Sequence, residues 1–471
     1  MNVKATVAAL AGCLLAGAPA AQAQFSYAIE NGTNIIISRY TGNGGAVTIP
    51  SVLDNLPVGT IGGVSFSNCV NVTSVTIPSS VTSIAGLAFL SCSGLTNVSI
   101  PGSVMSIGSG AFQYCGSLPS VTIPEGVTSI GSFAFNYCSN LASVTIPASV
   151  TNIAQQAFAA AGLTAITVDG QNAFYSVLNG VLMNKSQSTL VQYPGGVGGS
   201  YTIPGGVTTI AEYAFAYCGG LAGVTIPDGV ASIGQGAFYE CSNLASVTIP
   251  ASVTNIGVLA FSASGLTAIL VNGQNSYYSS LNGVLMDQSQ DTLLQYPGGL
   301  GGSYLIPGGV ATIAEYAFAN CSNLTNIVIS GGVTNIEGRA FEYCPSLASL
   351  FFMGNAPTVA SATFLGDNLT AYYLPGATGW SLFFGFSPNM PALLWNPLIQ
   401  TAGGSFGIIS NQFGFNVTGT TNIPIKVEAC TNLASPVWTP LATLTLTNGL
   451  VCFGDSQWTN YPGRFYRISS P

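Results

Sequence analysis

Residues 95–118 read LTNVSIPGSVMSIGSGAFQYCGSL, and the residues that follow say nearly the same thing again. Phe66, Phe89, Phe112, Phe135 and Phe158 recur every 23 residues, each behind a small residue, and Cys69, Cys92, Cys115 and Cys138 stand three places after the first four. A fixed period of this length marks one supersecondary unit stacked many times. Each unit holds a short apolar strand, L-x-x-V-T-I-P, then a turn, then V-T-x-I-G, then A-F-x-x-C. About five buried apolar side chains at roughly 2 kcal/mol each fall short of an ordering cost of about 1–2 kcal/mol per residue over a whole coil. One coil therefore cannot stand alone. Stacking makes up the missing burial and joins the strands into a parallel sheet.

The pattern resembles the leucine-rich repeats of the BspA type, whose L-x-x-V-x-I-P and V-x-x-I-G-x-x-A-F-x-x-C elements are matched coil after coil over about 45–395. The resemblance implies a secreted or surface-attached solenoid used for adhesion or binding. The fold class expected is a mostly β repeat solenoid of 23-residue coils, with a small C-terminal all-β module.

Composition agrees with a folded repeat. Only 5% of the 471 residues are charged and 48% are hydrophobic, the reverse of a disordered chain. A net charge of −8 with seven Lys and Arg leaves no basic stripe to displace counterions from phosphates, so nucleic acid is excluded as a partner.

Residues 1–23 carry one Lys4, an apolar run and the ending Ala21-Gln22-Ala23, the form of a secretory signal cleaved after Ala23. Within it, Leu10-Ala11-Gly12-Cys13 resembles a lipobox and offers lipidation at Cys13 as the lesser alternative. No later apolar run reaches the length of a membrane span. Residues 24–44 read as a cap hairpin around Asn31-Gly32, placed to cover the first open strand edge.

Strand positions then fall at Ile49, Ile77, Ile100, Ile123, Ile146, Val168, Ile203, Ile226, Ile249, Val271, Ile306, Ile329 and Phe352, with Tyr373 expected as a last strand. Two intervals, Val168 to Ile203 and Val271 to Ile306, are 35 residues long, and the whole pattern recurs at 103. In these coils A-F-x-x-C gives way to LNGVLMNKSQSTLVQYPGG and LNGVLMDQSQDTLLQYPGG, each read as a β-hairpin, near 177–196 and 280–299. Residues 355–395 lose the repeat and read as a C-terminal cap. From 396 to 471 alternating runs separated by Asn, Gly and Pro turns indicate a small β-sandwich-like module, which a Cys430–Cys452 disulfide would strengthen.

The sequence contains no His, which removes Ser-His-Asp and Cys-His arrangements and the commonest general base. Gly403-Gly404-Ser405-Phe406-Gly407 matches a nucleophile elbow in form, without a histidine to activate it. Asp228, Glu240, Glu212 and Glu315 sit singly in different coils and read as solvated groups rather than a glycosidase pair. The cysteine column reads as packing, because Ala161 and Ser264 take the same position. No cofactor and no metal are called for.

The outward strand positions are more informative. Thr122, Thr145, Thr225 and Thr248 belong to a hydroxyl row, often flanked by Ser, which changes to Leu270, Leu305, Val328 and Phe351. Alternation along strands puts these side chains on one face, and a contiguous apolar strip there marks a contact, with the chain's own C-terminal module or with an outside partner. Two functions follow: an exported non-enzymatic binding or adhesion protein for a protein or glycan ligand, or a carbohydrate-active enzyme or accessory module using Tyr114, Tyr137, Tyr217 and Tyr343 as sugar platforms. A structural role in a cell envelope is a third.

Overall fold

The computed structural model describes residues 24–380, 390–401, 406–409 and 411–470. The segment read as a secretory signal and most of the Gly403-to-Gly407 motif lie outside them. The chain forms two compact units, one comprising residues up to Val197 with Tyr213–Cys218, the other Gly198–Glu212 with the remainder.

The first unit starts with the cap hairpin. Strands Phe25–Glu30 and Asn34–Tyr40 pair antiparallel, and Asn31 and Gly32 between them both adopt positive φ. Asn34–Tyr40 then pairs in parallel with Leu56–Ile61, so the hairpin caps the stack at its sheet edge. Each following coil contributes one strand to each of two parallel faces; the shorter strands run on as one sheet, while the longer ones fall into consecutive smaller sheets. The longer one carries the V-T-I positions, as in Ser120–Thr122 beside Ser143–Ile146 beside Ala165–Val168. The shorter carries the S-I positions, as in Ser106–Ile107, Ser129–Ile130 and Asn152–Ile153. Between the sheets every apolar position of the motif points inward: Leu95, Val98, Ile100, Val104, Ile107, Ala111, Phe112 and Cys115 are all buried.

The phenylalanines form a column of stacked rings. Phe66, Phe89, Phe112, Phe135 and Phe158 lie 4.8, 5.0, 5.3 and 5.5 Å apart in succession, and Tyr40 begins the column 5.0 Å from Phe66. The backbone that carries them is hydrogen-bonded from coil to coil. The Phe89 N–H donates to the Ala111 carbonyl at 2.7 Å and the Phe112 N–H to Ala134 at 2.8 Å. The residues two before and two after the Phe do the same, Leu87 to Ser109 and Ser91 to Gln113. Both adopt left-handed φ, 59° and 58°, as do Phe133 and Tyr137 in a later coil. Every second N–H is thereby turned toward the next coil, while those between, of Ala88, Leu90 and Cys92, bond back within their own coil. Each non-glycine left-handed residue costs about 1–2 kcal/mol, which the ladder to the next coil offsets.

The cysteines have a specific place in this arrangement. Where an ordinary coil with a column Phe precedes, the thiol donates to that Phe carbonyl: Cys92 to Phe66 at 3.0 Å, Cys115 to Phe89 at 3.2 Å, Cys138 to Phe112 at 3.2 Å and Cys344 to Phe318 at 3.0 Å; Cys69, Cys218 and Cys321 instead face a carbonyl two residues back in their own coil. The column position thus favours a small side chain with a donor, and Ser264 donates to its own Phe261 carbonyl at 2.6 Å. All ten cysteines outside the first 23 residues are free thiols, Cys430 buried and Cys452 exposed.

The second unit repeats the same construction, with Phe238 on Phe261 and Phe318 on Phe341. Its long coil differs from the expected hairpin by one strand. Tyr278–Leu281, Val284–Asp287 and Thr292–Gln295 form a three-stranded meander, and the third strand rejoins the stack in parallel beside Thr312–Ile313. Tyr296 of the QYPGG run then takes the column position, 5.1 Å from Phe318. Tyr193 does so in the first unit, 5.0 Å from Phe215.

The repeat also runs further than its sequence suggests. Phe364 stacks on Phe341 at 5.6 Å, and Asp367 occupies the cysteine position. Thr370–Tyr373 is not the last strand, for Ala392–Leu394 pairs with it in parallel. The C-terminal module holds two antiparallel sheets. One contains Leu398–Gln400, Gly407–Ile409, Gln412–Thr418 and Leu450–Asp455, the other Thr439–Thr445, Pro424–Cys430 and Phe465–Ser469. Their inner side chains share one buried cluster.

Phe112→Ala opens a cavity beneath two neighbouring rings and should cost about 3–5 kcal/mol, read as a lowered midpoint in chemical denaturation. Replacing the exposed Met105 by Ala should change it by under about 0.5 kcal/mol.

Candidate binding surface

The outward face of the longer sheet is built by register. Thr122 lies opposite Thr145, and Thr145 opposite Thr167, in adjacent parallel strands. All three are exposed while the valines beside them point inward. The Thr145 and Thr167 hydroxyls are 2.8 Å apart, and Thr167 also donates to the Val144 carbonyl at 3.3 Å. Ser120 and Ser143 form a second exposed row two residues away.

In the second unit Thr225 pairs with Thr202, and both are exposed. Thr248, also exposed, lies opposite Leu270, where hydroxyl gives way to apolar. Leu270 and Leu305 are open to solvent, at 46% and 63% of their surface. Leu305 lies opposite Val328, which is half-buried, and Val328 opposite Phe351, which is buried. Phe351 stacks on Tyr372 at 4.9 Å and meets Trp395 edge-on at 6.3 Å. Both Phe351 and Tyr372 share a buried cluster with Phe415, Ile425, Val427 and Phe453 of the C-terminal module. The Trp395 indole N–H donates to the Pro424 carbonyl at 2.9 Å. The eight positions singled out by sequence therefore divide: four threonines and two leucines are open, Val328 is at the margin, and Phe351 is covered by the module.

Tyr372, Leu393 and Trp395 extend this row or its cover and were not singled out by sequence. The register Phe351↔Tyr372↔Leu393 is the signal, hidden by the shorter spacing of the last coils. Of the tyrosines considered as sugar platforms, Tyr114 and Tyr137 stack on each other at 4.8 Å and Tyr217 meets Tyr137 edge-on at 5.2 Å, while Tyr114 and Tyr343 remain exposed. The backbone N–H of Glu315 donates to Oε2 of Glu337 at 3.0 Å. Among the described residues no group of three His, Cys, Asp or Glu side chains could hold a metal ion, and no helix is long and apolar enough to cross a membrane.

The match to a family model settles what these coils are. The model of the BspA type leucine-rich repeat region matches residues 59–183, 199–281 and 303–379, more than half of the chain, in six copies. The chain belongs to the BspA type leucine-rich repeat family. Among solved structures, this BspA type chain is similar to a leucine-rich repeat protein from Eubacterium ventriosum, at 25% identity and TM-score 0.46, over 74% of this chain and 94% of that one. A leucine-rich cell surface protein from Faecalibacterium prausnitzii matches at 26% identity and TM-score 0.35, over 79% and 93%. A leucine-rich repeat protein from Bacteroides ovatus matches at 24% and 0.39, over 79% and 98%. No curated protein matches the chain.

The cap of the repeat carries one strained ionisable group. Asp367 accepts the Cys344 N–H through Oδ1 at 2.7 Å, while its buried Oδ2 has no partner. Burial, opposed by that hydrogen bond and helped by the nearby Glu342 charge, pushes its carboxyl up from 3.8 to about 6. A raised carboxyl pKa means that the folded state holds the proton more tightly than the unfolded one. Its contribution to stability is then full below about pH 3.8 and lost as pH rises through about 6. Asp367→Asn should raise the melting temperature relative to the parent above about pH 6, and the difference should vanish below about pH 3.8, as checked by thermal melts across that range.

Proposed function

We propose that this chain is an exported, non-enzymatic binding or adhesion protein that meets a protein or glycan through the outward face of its longer sheet. The observation that carries this reading is the exposed threonines held in register by parallel strands, Thr122, Thr145 and Thr167 in one unit and Thr202 with Thr225 in the other. Hydroxyls on a rigid sheet are donors and acceptors whose positions are fixed before a ligand arrives, which lowers the ordering cost of contact. Export rests on the reading of residues 1–23 as a secretory signal. The non-enzymatic reading is supported by the absence of histidine from the sequence and by carboxylates dispersed over different coils.

The chain beginning at Gln24, probed against arrays of glycans and cell-surface proteins, should bind a restricted set. Thr122→Arg with Thr145→Arg should weaken that binding at least about tenfold, and Tyr114→Ala should leave it unchanged. Undiminished binding by the double variant, or specific turnover of a glycan or peptide by the parent, would contradict the proposal.

A further inference from the structure

The long coil of the second unit interrupts the backbone ladder, and the interruption leaves a built slot. In ordinary coils the residue two before the column Phe, and the Phe itself, donate their N–H groups to the next coil, as Gly236 does to Val258 and Phe238 to Ala260. At the corresponding Leu259 and Phe261 the next coil departs into the meander, and neither N–H has a hydrogen-bond partner among the described residues. Leu259 has φ 61°, and the Ala260 N–H between the two donates back to the Gly257 carbonyl at 3.2 Å, so the two free donors are alternate residues. On the far side the Glu315 carbonyl, in the position that accepts from the preceding coil elsewhere, likewise has no backbone donor among the described residues. Ser262 bridges the two coils directly, donating to the Ala319 carbonyl at 2.9 Å and closing one end.

The space between is a cavity of about 210 Å³ lined by Val258, Leu259, Phe261, Leu285, Leu294 and Glu337, among others. Glu337 uses Oε2 to accept the Glu315 N–H, leaving Oε1 without a hydrogen-bond partner in the protein. The nearest cation, Arg339, is engaged by the Tyr316 hydroxyl at 3.1 Å and by Glu342 at 3.8 Å. One wall thus offers two N–H donors and the other a carbonyl and a carboxylate; between them lie Leu285 and Leu294 together with Tyr278 and the buried Gln295, whose amide nitrogen is already engaged by the Tyr296 and Ala317 carbonyls. The 103-residue repeat places Gly234 where Glu337 stands, so this acidic group is peculiar to the second long coil.

We propose that this slot binds a free α-amino acid with an apolar side chain. Its carboxylate accepts from Leu259 and Phe261, its ammonium donates to Glu337 and the Glu315 carbonyl, and its side chain lies over Leu285 and Leu294. A cavity of about 150 Å³ holds a benzene ring, so the volume accommodates a branched aliphatic side chain.

The test stands apart from the sheet-face reading and uses the chain beginning at Gln24 with leucine, N-acetyl-leucine and leucinamide in calorimetry and thermal melts. Leucine should bind and raise the melting temperature. Each capped form, lacking one charge, should bind at least about tenfold more weakly. Glu337→Gln should weaken leucine by a similar factor with an unchanged circular dichroism spectrum. If that variant loses its fold, Val258→Trp, at an exposed rim position, should abolish leucine binding instead. No heat and no melting shift with leucine, or equal binding of the capped forms, would overturn the proposal and leave the slot to water.

Discussion

In an uninterrupted run of coils the column phenylalanine rests on the ring of the coil before it, 4.8–5.5 Å away in the first unit, while its backbone N–H reaches forward to the coil after it. These two contacts have the same period and the same direction, and neither can be formed within one coil. The hydrophobic term is non-directional and would tolerate several arrangements. The N–H ladder fixes the register, because a shifted coil would strand buried polar groups at a cost of about 1–3 kcal/mol each. The thiol column adds a third link, from Cys115 to the Phe89 carbonyl. Burial pushes the Cys92 and Cys138 thiols up to about 12, which keeps them protonated and able to donate.

Much of this was legible in the sequence, for a physical reason. A repeat that must bury the same positions in every coil writes them at fixed spacing, so Phe112, Cys115 and the inward valines could be placed without coordinates. The backbone alternation could not. Left-handed residues are normally announced by glycine, yet here Leu87, Ser91, Phe133 and Tyr137 adopt that conformation because the ladder demands it. The same holds where the pattern degenerates. Phe364 continues the column although Asp367 replaces its cysteine, and the strand Ala392–Leu394 follows Thr370–Tyr373 after a spacing unlike the earlier ones. Both were hidden by loss of sequence identity rather than by loss of geometry.

The candidate surface shows the same division. That Thr122 and Thr145 face outward in one row follows from period-two alternation alone. That Phe351 is covered, while Leu305 two strands earlier is not, depends on where the C-terminal module settles, and no local pattern encodes that. The slot beside Glu337 is still less visible in sequence, since its walls come from coils separated by the long meander and its donors are backbone atoms. Interruptions in a repeat are where a solenoid can acquire polar groups that its own neighbours do not satisfy.

Coil deletion tests the stacking account most directly. Removing 95–117, one full 23-residue period, joins Gly94 to Leu118 and lets each remaining coil meet an equivalent neighbour. The shortened chain should keep a β-type circular dichroism spectrum and unfold cooperatively. Removing 95–106, about half a coil, should leave the flanking phenylalanines and ladder donors out of register and destroy the cooperative transition. Equal loss of folding in the two deletions would contradict the account.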